Sequence, residues 1–353
     1  MKHAGEILQI VPRAPGSHEG VGDYALLLAG GLEKKLDCPT TFVAAQPAAG
    51  ANILAPLAEI SEEEWRQHSA AAIVLHYVSY GYHPRGVPFL LPAKIDAIRR
   101  LCGGRLVTIF HELFAAGSWR QSAFWLRPFQ RRIVRSLARE SQVCIVSSAI
   151  LAEQLCGVAP RARVVVRPVV STFGERHLSM EQFADRDPER WVICGGTELI
   201  QRSLGSFPES FRNIQELFVI GGADLPEIRA LFPAKEKIAI HYLPNVEPKV
   251  ASEILATCTF GWLDYFAPGH FPNAAILKST TFAAFCAHGV IPIFPRAGAP
   301  IALDDDLLPG PFTLETFPAA SERPRIARAI YDWYHRNASS ARLAETIAEA
   351  IGS

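Results

Sequence analysis

Ile7-Leu8-Gln9-Ile10-Val11, a turn through Gly16-Ser17-His18-Glu19-Gly20-Val21-Gly22, and Asp23-Tyr24-Ala25-Leu26-Leu27-Leu28-Ala29 form the stretch whose reading decides the fold. The apolar run Ile7–Val11 has the length of a buried strand. Glycines in the turn allow close backbone approach, and a helix start behind them favours an anion. Asp23 suits a helix cap, and Leu26, Leu27, Ala29, Gly30 and Leu32 fall on or near one face, which predicts a helix over Asp23–Leu36. The turn is not Gly-x-Gly-x-x-Gly, because the residue three past Gly22 is Ala25, and no acidic residue ends the following strand. It makes a poor dinucleotide fingerprint, and without Gly-Lys-Ser/Thr it is no Walker loop. A plain glycine turn capping an ordinary helix fits the same spacing.

Outward from there the pattern repeats. Thr40–Ala44, Ala71–Tyr77, Arg105–Phe110, Gln142–Ser147 and Arg163–Val166 read as strands, with a helix at Pro92–Leu101. Alternation of strand and helix predicts a parallel sheet with helices on both faces. It restarts with strands at Trp191–Cys194, Gln215–Ile220, Ile238–Leu243, Thr259–Leu263 and Val290–Phe294, and helices at Pro248–Ala256 and Thr280–His288. The polar stretch Ser171–Arg190 separates the halves. The expected organisation is a first Rossmann-like domain over 1–172, a linker over 173–190 and a second Rossmann-like domain over 191–325. A helical segment over 326–353, interrupted near Asn337–Ser340, is compatible with a return to the first domain. Ligands of such sheets bind outside the carboxyl ends of the strands, at switch points.

Composition narrows the class. With 353 residues, ~150 per domain gives about two domains. Lys and Arg number 35 against 35 Asp and Glu, so the formal net charge is zero. Nonspecific nucleic-acid binding needs a basic footprint, so no nucleic-acid partner is expected. Cys38, Cys102, Cys144, Cys156, Cys194, Cys258 and Cys286 are odd in number and scattered, with no Cys-x-x-Cys. That argues against a disulfide framework or zinc ribbon and for a reducing, cytoplasmic compartment. Met1-Lys2-His3-Ala4-Gly5-Glu6 leads into a strand with no signal-peptide core. No apolar run reaches the ~18 residues of a membrane span. Peripheral contact with the inner membrane face stays open.

The residues resemble a known family. Gly20-Val21-Gly22-Asp23-Tyr24-Ala25 with Leu28-Ala29 and Leu32 is similar to the opening of two-domain GT-B glycosyltransferases, of the retaining family 4 or group 1 kind. His76-Tyr77-Val78-Ser79-Tyr80-Gly81-Tyr82 and Thr108-Ile109-Phe110-His111-Glu112-Leu113 resemble loops at that family's first-domain strand ends. His241-Tyr242-Leu243-Pro244-Asn245-Val246 resembles the segment bordering the nucleotide base, and Ala287-His288-Gly289-Val290-Ile291-Pro292 the end of the nucleotide-sugar motif. The resemblance implies two doubly wound Rossmann-like domains facing across a cleft, 1–172 as the acceptor domain and 191–325 as the nucleotide-sugar domain. It also implies transfer of a sugar from a nucleotide-diphosphate sugar, UDP- or GDP-linked, to an acceptor hydroxyl with retention. The family's Glu-x7-Glu is degenerate, its positions being Ile276 and Ala284. Arg202 can stand for the family's lysine, while Thr197 replaces its arginine.

The expected site follows. Gly20, Gly22, Arg202, Asn245, Val246, Lys278, Ser279 and Thr280 are the donor-binding candidates, with Arg202 and Lys278 clamping the diphosphate. Lys278 as a solvated residue and Ser279 as a helix cap fit equally. His111, placed at a strand's carboxyl end, and Glu112 beside it are the catalytic candidates; a histidine bonded to backbone is the plainer reading. Tyr77, Tyr82 and Trp119 are acceptor candidates or core, the acceptor being a glycan, a lipid-linked or a small molecule. No cofactor is expected, and Asp304-Asp305-Asp306 reads as a solvated loop, so no metal is expected either. Arg127, Arg131, Arg135 and Arg139 recur every four residues beside Arg132. Opposite them lie Leu126, Phe129, Ile133 and Leu137, as in a helix packed on its sheet or one meeting anionic lipid. The second functional reading is a noncatalytic binding or scaffold protein that has lost donor chemistry. A third, a nucleotide-sugar epimerase, would need Glu112 and Asp264 as its cleft carboxylates.

Overall fold

The computed structural model describes residues 5–16, 20–46, 56–115, 122–208, 214–232 and 238–352. The chain divides into two compact units, Met1–Pro168 with Ser340–Ser353, and Val169–Ser339.

The first unit is a six-stranded sheet of β1 (Glu6–Val11), β2 (Thr40–Ala44), β3 (Ala70–Tyr77), β4 (Arg105–Phe110), β5 (Val143–Val146) and β6 (Val164–Val166). Their order is β2-β1-β3-β4-β5-β6, and every pairing is parallel. Strands covered by helices on both faces read as continuous apolar runs, as Ile73-Val74-Leu75 and Val143-Cys144-Ile145-Val146 do. Ile7, Leu8, Ile10, Ile73, Leu75 and Val146 are all fully buried. Because β2 and β3 flank β1 on opposite sides, the chain reverses its winding direction there. The crevice of this sheet therefore opens outside the carboxyl ends of β1 and β3.

The last helix, Ser340–Gly352, belongs to this unit and packs on the first helix, Gly20–Leu36. Gly31 makes that approach possible. A Cβ there would stand 3.0 Å from the Ser340 carbonyl oxygen and 3.2 Å from the Ala344 Cβ. Arg167 Nε donates to Thr346 Oγ1 at 2.8 Å and holds the same helix to the end of the sheet.

The second unit is a five-stranded parallel sheet of β7 (Asp187–Gly195), β8 (Glu216–Gly221), β9 (Ala239–Leu243), β10 (Cys258–Trp262) and β11 (Ile291–Ile293), ordered β11-β10-β7-β8-β9. Its winding reverses at β7, so its crevice opens outside β7 and β10. Trp191, Phe260 and Trp262 fill the core.

The stretch expected as a linker, 173–190, holds the helix Met180–Ala184, closed by a Ser179–Gln182 capping box, and the start of β7. Its charge is used internally. Arg186 is 8% exposed and donates to the carbonyls of Cys258 at 3.1 Å, Gly289 at 2.6 Å and His288. These lie around the carboxyl end of the helix Thr280–Ala287, where unpaired carbonyls and the helix dipole both call for a cation. Tyr334, in the helix Arg323–Asn337, bonds Glu175 Oε1 at 2.7 Å, so Glu175 too is engaged within the unit. Six of the seven cysteines, all but Cys156, are buried. Among the described residues no helix is long and apolar enough to cross a membrane.

Candidate functional site

A polar chain crosses the apolar strands at the first unit's crevice. Gln9 on β1 donates through Nε2 to the Ala25 carbonyl at 3.1 Å. Its Oε1 meets His76 Nε2 on β3 at 2.7 Å. His76 Nδ1 lies 3.2 Å from His111 Nε2, just past β4. Gln9 and His76 are fully buried, and Tyr24 stands edge-on to both imidazoles.

The proton positions follow from one fixed point. A backbone carbonyl only accepts, so the Gln9 amide nitrogen faces Ala25 and its oxygen faces His76. His76 Nε2 then carries the proton and Nδ1 accepts from His111 Nε2–H. That leaves His111 Nδ1 as a bare acceptor, with no hydrogen bond among the described residues. Burial, then the neighbouring His111, hold His76 well below the usual histidine range. Burial pushes His111 down to about 4. Both rings are therefore neutral at pH 7, and the arrangement presents a fixed, uncharged hydrogen-bond acceptor at the sheet's carboxyl edge.

The remaining first-unit candidates are distributed differently. Glu112 is exposed and makes no hydrogen bond to the His111 ring among the described residues; the ring's hydrogen-bond partner is His76. Gly22 is buried, and a Cβ there would stand 3.0 Å from the Ala14 carbonyl oxygen, so the first helical turn lies directly on the loop after β1. Gly20 is exposed at the helix start. Tyr77 is fully buried against Phe110 and presents no face to an acceptor. It is core because it closes a continuous apolar strand. Tyr82 directs its hydroxyl at the Ile10 and His76 carbonyls, 3.1 and 2.9 Å away, stapling β1 to β3. Trp119 and Ser17–Glu19 of the glycine turn lie outside the described residues.

In the second unit glycines form the crevice floor. A Cβ on Gly221 would meet the Gly195 carbonyl oxygen at 2.6 Å, so the ends of β7 and β8 tolerate no side chain there. Gly196 begins the helix Thr197–Gly205 with no side-chain cap, leaving its first N–H groups open. The helix Thr280–Ala287 meets the same place, since Thr281 Oγ1 donates to the Cys194 carbonyl at 3.2 Å. Ser279 is buried and caps that helix through Phe282 N–H. Lys278 and Thr280 beside it are exposed. Arg202 donates to the Tyr265 carbonyl at 3.2 Å, in the loop after β10. Asp264, at the end of β10, is 7% exposed and its carboxylate makes no hydrogen bond among the described residues. Asn245, at φ 53°, and Val246 follow edge strand β9, two strands or about 10 Å from β7. The fold thus gathers Ser279, Thr280 and two helix starts at the glycine end of β7, with Arg202 tied beside β10 and Asn245–Val246 further out.

The positions of the degenerate Glu-x7-Glu are structural here. Ile276 and Ala284 are both fully buried in the core. Asp306 of the late acidic run pairs with Arg336 at 3.0 Å. Among the described residues no three His, Cys, Asp or Glu side chains are grouped to hold a metal ion. Gln9, His76 and Tyr24 were not among the sequence candidates. The available signal was a polar residue inside each of two apolar strands, Gln9 in β1 and His76 near the end of β3.

No family model and no curated protein matches the sequence significantly. Solved structures match its fold. HepE of Anabaena, in complex with UDP and glucose, is 12% identical and superposes with a TM-score of 0.59 over 99% of this chain and 100% of its own. A trehalose-6-phosphate structure from E. coli, bound with UDP-2-fluoro glucose, is 10% identical, with a TM-score of 0.57 over 99% of each chain. An alpha-glucosyltransferase in complex with UDP and a 13-mer DNA gives 12%, 0.57 and again 99% of each. The fold of this protein, two parallel-sheet α/β domains over the whole chain, is GT-B.

Proposed function

We propose that this protein is a glycosyltransferase that moves a sugar from a nucleotide-diphosphate sugar, UDP- or GDP-linked, to an acceptor hydroxyl, with retention and without a metal ion. The observation that carries the reading is the glycine end of β7, where two helix N-termini converge, with Arg202 tied to the loop after the neighbouring strand β10. A leaving diphosphate gains negative charge as the glycosidic bond breaks, and fixed N–H dipoles with cations stabilise that charge. Arg202, Lys278, Ser279 and Thr280 would hold the diphosphate. Asn245 and Val246, further along the carboxyl edge, would border the base. In the first unit, His111 Nδ1 would accept a hydrogen bond from a substrate hydroxyl and so fix its orientation. A neutral imidazole with a low proton affinity suits positioning better than strong general-base work at pH 7. The structures superposed above carry UDP or a UDP sugar in their own sites, which supports this donor class.

A second reading has its own observation. With Ile276 and Ala284 built into the core, the carboxylates of the family motif are missing, as in a binding or scaffold protein that has lost donor chemistry. Thermal-shift measurements with UDP, GDP, ADP, dTDP and their sugars, without added metal, separate the two. A ligand at a hundredfold excess over its Kd adds about 2.7 kcal/mol of stability. A selective shift by one nucleotide supports transfer and names the base. No shift from any of them, with the protein folded, refutes the donor site.

A further inference from the structure

The helix Ser122–Glu140 is strongly basic in a chain whose formal net charge is zero. It carries Arg127, Arg131, Arg132, Arg135 and Arg139 against one carboxylate, Glu140, and that carboxylate pairs with Arg99 at 2.8 Å. The buried stripe of the helix is Gln130, Ile133, Val134, Leu137 and Ala138. At 3.6 residues per turn, Trp125, Pro128, Arg132, Arg135 and Arg139 fall opposite that stripe. Arg127 and Arg131 lie 5.0 and 5.9 Å over the Phe114 ring, and Arg135 Nε donates to the Val158 carbonyl. Arg132 and Arg139 make no hydrogen bond or ion pair among the described residues.

Toward the amino-terminal end of the same helix the exposed side chains are aromatic. Trp125 is 66% exposed and Phe129 48%. The Phe129 ring meets Phe89 at 5.6 Å, which joins the helix to Phe89 and the 81% exposed Leu90. Five of the thirteen large exposed hydrophobic residues among those described lie in this patch, Phe124 being the fifth. Scattered exposed hydrophobics need no explanation, whereas a contiguous group beside a row of cations does.

We infer that this face rests on an anionic lipid surface. Trp125, Phe129, Phe89 and Leu90 enter the headgroup boundary, and Arg132 and Arg139 pair with lipid phosphates. Charge complementarity selects the partner: an arginine row with an aromatic end matches a surface that is anionic outside and apolar just beneath. An acidic protein or a nucleic acid would satisfy the arginines and leave Leu90 and Phe89 in water. This inference stands independently of the proposed reaction.

The test floats the full chain with phosphatidylcholine vesicles, with and without phosphatidylglycerol, at low and high salt. Binding to the anionic vesicles and its loss at high salt are expected. Near a membrane each arginine contributes about fivefold, so Arg132→Gln with Arg139→Gln lowers binding roughly 25-fold. Trp125→Ser with Phe129→Ser lowers it independently, and Trp125→Phe abolishes quenching of tryptophan fluorescence by a lipid-borne quencher. All these residues are exposed, so unchanged urea midpoints are expected for the variants. Four results would each overturn the inference: equal binding to neutral vesicles, no binding, binding unaffected by the Trp125 and Phe129 changes, or a single-stranded oligonucleotide bound as tightly as the anionic vesicles.

Discussion

Replacing Gln9 by leucine tests the polar chain directly. Gln9 and His76 are fully buried and their contact is 2.7 Å, so water cannot substitute for the lost amide. The Ala25 carbonyl sits inside a helix and keeps its helical partner, so the group left alone is one nitrogen of His76. A buried polar group without a partner costs about 1–3 kcal/mol, and that is the expected loss of stability. The His76 tautomer is also released. With Gln9 gone, His76 Nδ1–H can donate to His111 Nε2, and the proton of His111 then moves to Nδ1. Urea unfolding measures the first effect. Long-range nitrogen–proton NMR of the imidazoles, which separates protonated from bare ring nitrogens, measures the second. Adding His76→Phe should cost much less in the Gln9→Leu background than alone, because the orphaned group disappears with it. Additivity of the two changes within about 0.3 kcal/mol would refute the coupling. Wild-type His111 protonated at Nδ1 would refute the assigned direction of the chain.

Three further outcomes are expected. Arg202→Ala and Lys278→Ala should each weaken nucleotide-diphosphate binding by about 10- to 100-fold, the worth of a charged hydrogen bond, with little effect on nucleoside binding in a calorimetric titration; equal losses for nucleoside and diphosphate would sink the clamp. Stability should fall with acid below neutrality: His76, His111 and His288 have folded pKa values below the usual 6.5, the last two about 4, so unfolding takes up protons as the pH drops. Their contribution is complete above pH 6.5 and is lost as the pH falls towards 4, with a slope of up to about 1.4 kcal/mol per unit for each histidine, and an unfolding midpoint unchanged between pH 7.5 and 5 would contradict it. Gly31→Val should destabilise by about 1–3 kcal/mol through overpacking and expose the last helix to proteolysis, whereas Gly30→Ala, which meets nothing within 4 Å, should not.

The parallel strands of both units and several of their helices were legible from the chain alone. Ile7–Val11, Thr40–Ala44 and Trp191–Cys194 are apolar runs that only a doubly covered sheet can bury, and helical periodicity between them leaves parallel winding as the arrangement. The same local signals located the glycine turns, the Ser279 cap and the strand end bearing His111. The pairings of the buried polar chain were not legible, because they join residues far apart in sequence. Gln9 finds His76, and His76 finds His111, only when β1, β3 and β4 lie side by side in register. Arg186 looked like a linker charge until the fold brought three carbonyls to it. Tyr77 read equally as an acceptor contact or as core, and packing against Phe110 of β4 decides for core. Local patterning determines which segments must be buried and in what conformation; which polar groups are buried with them, and therefore must pair, is decided by sheet order alone.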